Sequence, residues 1–218
     1  RLSDTVLMAE IDPDVAAVWQ ILFDGQGPEL ARRIQSFSMD MQNVRTELES
    51  SPCTLLDRSF QTILRNRVQY GGILARGANL LNLGENGKGI MSRWYPDTLA
   101  RRILDIHQIR DRFSIRVGDG IGLIRENKDD VNVMFFVDPP YFAAGKRLYT
   151  YGQIDHAEVF AAISSVRGDF LMTYDESPEI IGLVKNFGLD VQKIAMRTTK
   201  SVKKFELLIG RDLSWARR

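Results

Sequence analysis

The chain has 218 residues, with 29 Lys plus Arg against 28 Asp plus Glu and a formal charge of +1. That length can bury one full core and still carry an insertion, while near-neutrality excludes a global basic field, so a surface for a polyanion must be local. The single cysteine, Cys53, excludes an intramolecular disulfide framework and fits a reducing, cytoplasmic setting; with only two histidines beside it, no metal site is expected.

No apolar run approaches a membrane span, and Arg1-Leu2-Ser3-Asp4 is not a signal peptide. Because the chain opens on Arg and enters a strand almost at once, an upstream segment is expected. Thr5 to Ile11 predicts a strand, closed by Asp12-Pro13-Asp14 as helix cap and first turn. A strand ending in Glu10 before a short turn into a helix is an arrangement that binds ribose hydroxyls, and also one that merely leaves an acid in solvent. Val15, Val18, Trp19 and Leu22 then recur at helical spacing until Gly25-Gln26-Gly27-Pro28 breaks the pattern.

From Pro28 to about Gln108 the character changes. Met39 to Ser50 and Thr54 to Gln69 predict amphipathic helices, Tyr70 to Asn79 and Gly84 to Gly89 predict glycine-rich loops, and Pro96-Asp97 opens a helix running to Gln108. Arg65, Arg67, Arg76, Lys88, Arg93, Arg101 and Arg102 make this stretch locally positive, which suits a nucleic-acid reader. Arg76, set between small residues in a loop, is the candidate for reaching a base edge; the arginines of the 98–108 helix read as a solvated face. Residues 28–108 are thus expected as an insertion into an α/β domain made of 1–27 and 109–218.

Phe113 to Val117 predicts a second strand, followed by Gly118-Asp119-Gly120 and a short helix. Val131 to Val137 predicts a strand buried on both faces, as in a parallel sheet. It runs into Asp138-Pro139-Pro140-Tyr141, where two prolines stop the strand and keep the backbone extended. A carboxylate, a rigid carbonyl and an aromatic face within four residues, at the carboxyl end of a strand where open α/β sheets place their ligands, can grip a planar group bearing an amino function. Asp155 caps a helix from His156 to Val166, with His156 read as structural. Phe170 to Tyr174, Val191 to Met196 and Phe205 to Gly210 predict strands, and Ser177-Pro178 starts a helix that Gly188 ends. If the strand from Val191 runs parallel to that from Val131, the basic segment after it lies on the edge of Asp138, making Lys200, Lys203 and Lys204 phosphate contacts; otherwise they belong to a solvated turn.

Asp138-Pro139-Pro140-Tyr141 on a central strand, with carboxylates ending successive strands, resembles the S-adenosylmethionine-dependent DNA adenine-N6 methyltransferases of the alpha arrangement, the DNA adenine methylase group. Asn66-Arg67-Val68-Gln69-Tyr70-Gly71-Gly72-Ile73-Leu74, Gly145 to Tyr149 with Asp155-His156, Tyr174 to Ile180 and Lys204 to Ile209 resemble further segments of that family in the same order. The resemblance implies a three-layer Rossmann-like fold with a C-terminal β-hairpin and an inserted helical target-recognition domain. It implies Asp138, Pro139, Pro140 and Tyr141 as catalytic, with Glu10 on the cofactor ribose, Ile11 against its adenine, Asp119 and Gly120 at the adenine edge, and Asp138 also facing the cofactor. Asn66, Arg67, Tyr70 and Arg76 would work on double-stranded DNA. The family's Phe-x-Gly-x-Gly loop is not among the 218 residues, so that loop and the first strand are expected upstream or on another chain. Two other readings stand beside this one: amino methylation of cytosine N4, RNA or a glutamine side chain, and a DNA-binding module without catalysis.

Overall fold

The computed structural model describes residues 3–74, 78–84, 87–140, 154–197 and 203–217. The architecture is mixed α/β, with eight α-helices and six strands among the described residues. The chain divides into two compact units, Arg1–Gly118 and Asp119–Arg218.

In the first unit, β1 (Val6–Glu10) and β2 (Phe113–Val117) form a parallel pair in which Glu10 lies beside Val117. Helix α1 (Pro13–Phe23) starts where the Asp12 carboxylate accepts the Asp14 N–H, with Pro13 in the first turn where its missing donor costs nothing. Phe23 stacks on Phe113 at 5.4 Å, tying α1 to β2. The sequence reading did not foresee the next helix, α2 (Gly27–Ser36). Pro28 opens it and Leu30, Ala31 and Ile34 are its buried stripe, so the glycine and proline taken there as a break are a helix start. Helices α3 (Met41–Glu49), α4 (Leu55–Val68) and α5 (Pro96–Gln108) follow where helical periodicity places them. Residues 28–108 pack with α1 around a single core in which Phe60 is fully buried, 5.1 Å from Phe37 and 6.4 Å from Trp94 in edge-to-face pairs.

The start of α4 is a reciprocal cap. The Thr54 hydroxyl accepts the Asp57 N–H at 3.0 Å, and the Asp57 carboxylate accepts the Thr54 N–H at 2.9 Å. Arg33 of α2 bridges Asp57 and Glu47, the latter at 2.9 Å, and lies over the Phe60 ring. The hydrogen bonds from Arg33 and then Thr54 hold the Asp57 carboxyl at about 2, below the usual 3.8. Because the folded value is depressed, its stabilisation is complete above the unfolded pKa and disappears as pH falls from 3.8 toward 2. Asp57→Asn is therefore expected to cost about 1 kcal/mol at pH 7, a figure set by the cap because the ion pair is partly solvated. Urea unfolding of variant and wild type should give converging stabilities near pH 2.

In the second unit, β3 (Met134–Val137) and β4 (Asp169–Asp175) are parallel, while β5 (Asp190–Arg197) and β6 (Lys203–Gly210) form an antiparallel hairpin that pairs through β6 with β4, giving the order β3-β4-β6-β5. Two antiparallel steps make β5 parallel to β3 and β4. Helices α6 (Gly120–Glu126), α7 (His156–Ser164) and α8 (Pro178–Asn186) share one apolar cluster with Phe135, Phe170, Met172, Tyr174, Leu207 and Ile209. The expected strand buried on both faces is instead alternating. Phe135 is 9% exposed, whereas Met134 and Phe136 are 63% and 66% exposed. The helices of this unit cover the face that carries Phe135, so period-2 alternation turns its neighbours the other way. Among the described residues no helix is long and apolar enough to cross a membrane, and no cluster of His, Cys, Asp or Glu is placed to hold a metal ion.

Candidate functional site

Asp138 follows the last residue of β3, and the β3–β4 register, in which Val137 lies beside Met172, brings it level with Thr173. The Thr173 hydroxyl donates to Asp138 Oδ1 at 2.6 Å. Both side chains belong to the face opposite the helices, since Phe170, Met172 and Tyr174 of β4 are buried and Leu171 and Thr173 are only partly so. Met134, Phe136 and Asp138 share that face, so an apolar row ends in an exposed carboxylate. Thr173 takes one carboxylate oxygen; Oδ2 has no donor among the described residues. Pro139 and Pro140, both half-buried, carry no N–H and leave their carbonyls as the polar groups of this corner. Tyr141 lies outside the described residues.

Behind the sheet His156, the first residue of α7, packs edge-to-face on Tyr174 at 5.6 Å, with its Nδ1 3.2 Å from the phenol oxygen. Burial lowers the His156 pKa and raises that of Tyr174, which favours the neutral form of both. The pair braces the strand that carries Thr173.

The hairpin meets the condition that made its lysines interesting. β4 ends at Asp175 beside Glu206, whereas β5 and β6 continue to Arg197 beside Lys203. The hairpin therefore projects beyond the sheet at the edge where Asp138 sits. Lys203 and Lys204 are on that projecting part of β6. Lys200 lies outside the described residues. Lys193 of β5 forms an ion pair with Glu176, just past β4.

The residues expected to face a cofactor are divided between the units. At the ends of β1 and β2, the Gly118 N–H donates to the Glu10 carbonyl at 2.9 Å, and the Glu10 carboxylate accepts the Asp12 N–H at 2.9 Å. Ile11 is 47% exposed, so an apolar side chain stands in solvent beside that acid. Gly118 has φ +146°, a conformation open to glycine, with no atom near the position a Cβ would take. In the second unit, Asp119 caps α6 by accepting the Ile121 N–H at 2.9 Å, and Gly120 is the first residue of that helix.

Asn66 and Arg67 occupy the last turn of α4, and Tyr70 begins the single turn Tyr70–Gly72 with its ring 69% exposed. The ends of the following loop are closed by Tyr70 N–H to Asn79 carbonyl at 2.9 Å and Leu81 N–H to Val68 carbonyl at 2.8 Å. Asn66 Nδ2 donates to the Gly72 carbonyl at 3.0 Å. Arg76 lies outside the described residues. Sequence reasoning missed Thr173, although a hydroxyl inside the apolar run Phe170 to Tyr174 was the available signal.

No protein-family model matches this chain, and no curated protein matches it.

Proposed function

We propose that this chain carries the catalytic corner and the target-recognition part of a site-specific DNA methyltransferase that moves a methyl group from S-adenosylmethionine to N6 of an adenine turned out of the duplex. The observation that carries the reading is Asp138-Pro139-Pro140 at the carboxyl end of a parallel strand, followed in sequence by Tyr141, with the Asp138 carboxylate tethered by Thr173 on the exposed side of the sheet. On this reading the two units are parts of a Rossmann-like fold, with residues 28–108 as the recognition insertion.

Taken unit by unit, the first offers the Glu10 carboxylate, whose chemistry suits ribose hydroxyls, and the exposed Ile11, which suits an adenine face; the second offers Asp119 and the Gly120 N–H, which suit an adenine edge. When bound, S-adenosylmethionine supplies the sulfonium methyl group. The exocyclic nitrogen of adenine is a poor nucleophile because its lone pair is delocalised into the ring. Asp138 and the Pro139 carbonyl would accept its two hydrogens, which localises the lone pair and matches the positive charge that develops on nitrogen. The stiffness of Pro139-Pro140 keeps these acceptors from relaxing away, and Tyr141 would stack on the base, an interaction worth about 1–3 kcal/mol.

Calorimetry on this chain with S-adenosylmethionine, and separately with an adenine-containing duplex, tests the assignment. Heat from both is the expected result. Duplex binding with no cofactor heat would instead support a DNA-binding module without catalysis.

A further inference from the structure

Tyr174 is the largest of the fully buried side chains among the described residues, on the face of β4 that the helices cover. Among those residues its hydroxyl has one hydrogen-bond partner, His156 Nδ1 at 3.2 Å. A phenol proton sealed from water must be donated, and leaving it without an acceptor is costly. His156 Nδ1 is therefore the acceptor, which puts the ring's one proton on Nε2 and requires a neutral imidazole. An imidazolium would donate to the phenol oxygen and strand the phenol proton.

The surroundings oppose a charge on that ring. His156 is the first residue of α7, at the positive end of the helix, and burial lowers its pKa, with Asp175 past it on β4 and Asp155 at its own cap offsetting part of the effect. From α6, Arg125 is taken up by Glu158 at 2.7 Å, and α8 adds the uncharged Ile180 and Val184 to the shared apolar cluster. The ring contacts make the junction stiff. His156 meets Tyr174 edge-to-face at 5.6 Å, Tyr174 lies 5.6 Å from Phe160, and Phe160 lies 5.9 Å from Phe187. One peptide before Tyr174, Thr173 turns to the opposite face and holds Asp138 Oδ1 at 2.6 Å. Losing the phenol's acceptor therefore loosens β4 beside the residue that fixes the carboxylate.

We propose that His156 is a positioning residue: as a neutral acceptor for the Tyr174 phenol it holds β4 where Thr173 meets Asp138, and protonating it releases that hold. Its link to catalysis rests on the methyltransferase reading above; the hydrogen bond and its effect on Thr173 do not. His156 lies behind the sheet from Asp138, so it exchanges no proton with substrate.

Nitrogen NMR of the imidazole and the methyl resonance of Thr173, both on the full chain, test this without reference to activity. At neutral pH Nδ1 should be bare and Nε2 should carry the proton. The Thr173 methyl should shift in His156→Leu and stay in place in His156→Asn, whose amide oxygen stands close to where Nδ1 was. It should return in His156→Leu/Tyr174→Phe, which removes the stranded hydroxyl as well. In methyl transfer, His156→Leu should lower kcat about tenfold at constant KM for the duplex, and the other two variants should recover most of it. Because the folded pKa is lowered, the neutral ring persists as pH falls through 6.5, and wild type should lose kcat along an acid limb below that value. His156→Asn should lack this limb. A proton on Nδ1 at neutral pH, or a Thr173 methyl unmoved in His156→Leu, overturns the proposal. If both spectra follow the expected course and the wild type transfers no methyl group, the hold on Thr173 stands and the methyltransferase reading falls. If His156→Leu transfers methyl groups with the wild-type rate and acid limb, the positioning role falls and the methyltransferase reading stands.

Discussion

Asp138→Ala is expected to lower methyl transfer on the order of a thousandfold, the upper range for removing one preorganised group aimed at developing charge. On the methyltransferase reading the affinity for S-adenosylmethionine should change far less, because that reading puts the carboxylate's main work at the adenine nitrogen. Single-turnover transfer of a labelled methyl group, together with calorimetry of the same variant, separates the two. Turnover near wild type would remove Asp138 from the mechanism. Thr173 donates to Asp138 at 2.6 Å, so on the same reading it is a positioning residue. Thr173→Val deletes a hydrogen bond to a carboxylate, and about 1.4 kcal/mol of lost alignment corresponds to about a tenfold fall in kcat. KM for the duplex should stay constant, and Thr173→Ser, which keeps the hydroxyl, should restore the rate. A merely structural threonine would not give that split.

Gly168→Ala is expected to destabilise the second unit by about 3 kcal/mol, the upper end for overpacking, because the groups a methyl would meet are backbone and cannot rotate away. Its Cβ would lie 2.1 Å from the Val133 carbonyl and 2.9 Å from that of Asp130. The segment is clamped on both sides: the Arg167 N–H donates to the Lys128 carbonyl at 2.6 Å and Arg211 donates to the Val166 carbonyl. This turn holds the entry to β3, so displacing it moves the strand that carries Asp138. Gly182→Ala in α8, where a Cβ meets nothing within 4 Å, serves as the contrast and should be neutral or stabilising by about 0.5–1 kcal/mol. Urea unfolding monitored by hydrogen exchange in β3 and β4 decides it. A Gly168→Ala protein as stable as wild type would show that the two turns do not pack as closely as described.

Much of the element order was legible because it is local. Asp12-Pro13, Thr54 with Asp57, Asp155 and Ser177-Pro178 each satisfy orphan N–H groups within a few residues, so caps announce helices without any knowledge of the fold. The Pro139-Pro140 stop is equally local, since a residue without an N–H ends a ladder wherever it stands. The sequence reading failed at α2, where Gly27-Pro28 serves either a turn or a helix start and only packing against α5 selects the helix. It failed again at β3, because which strand residues are buried depends on where the helices of that unit lie.

Sequence by itself therefore determined the mixed α/β class, most helix starts, and the proline-stopped end of β3 at Asp138-Pro139-Pro140. Tertiary structure decided the partnerships: Thr173 beside Asp138 through strand register, and β5 parallel to β3 through two antiparallel steps. The physical reason is range. Capping and proline effects act within one turn of chain, whereas strand register and side-chain hydrogen bonds across the fold join residues 20 or more positions apart, as with Asp138 and Thr173, whose separation is 35. Nothing in either local sequence specifies that meeting.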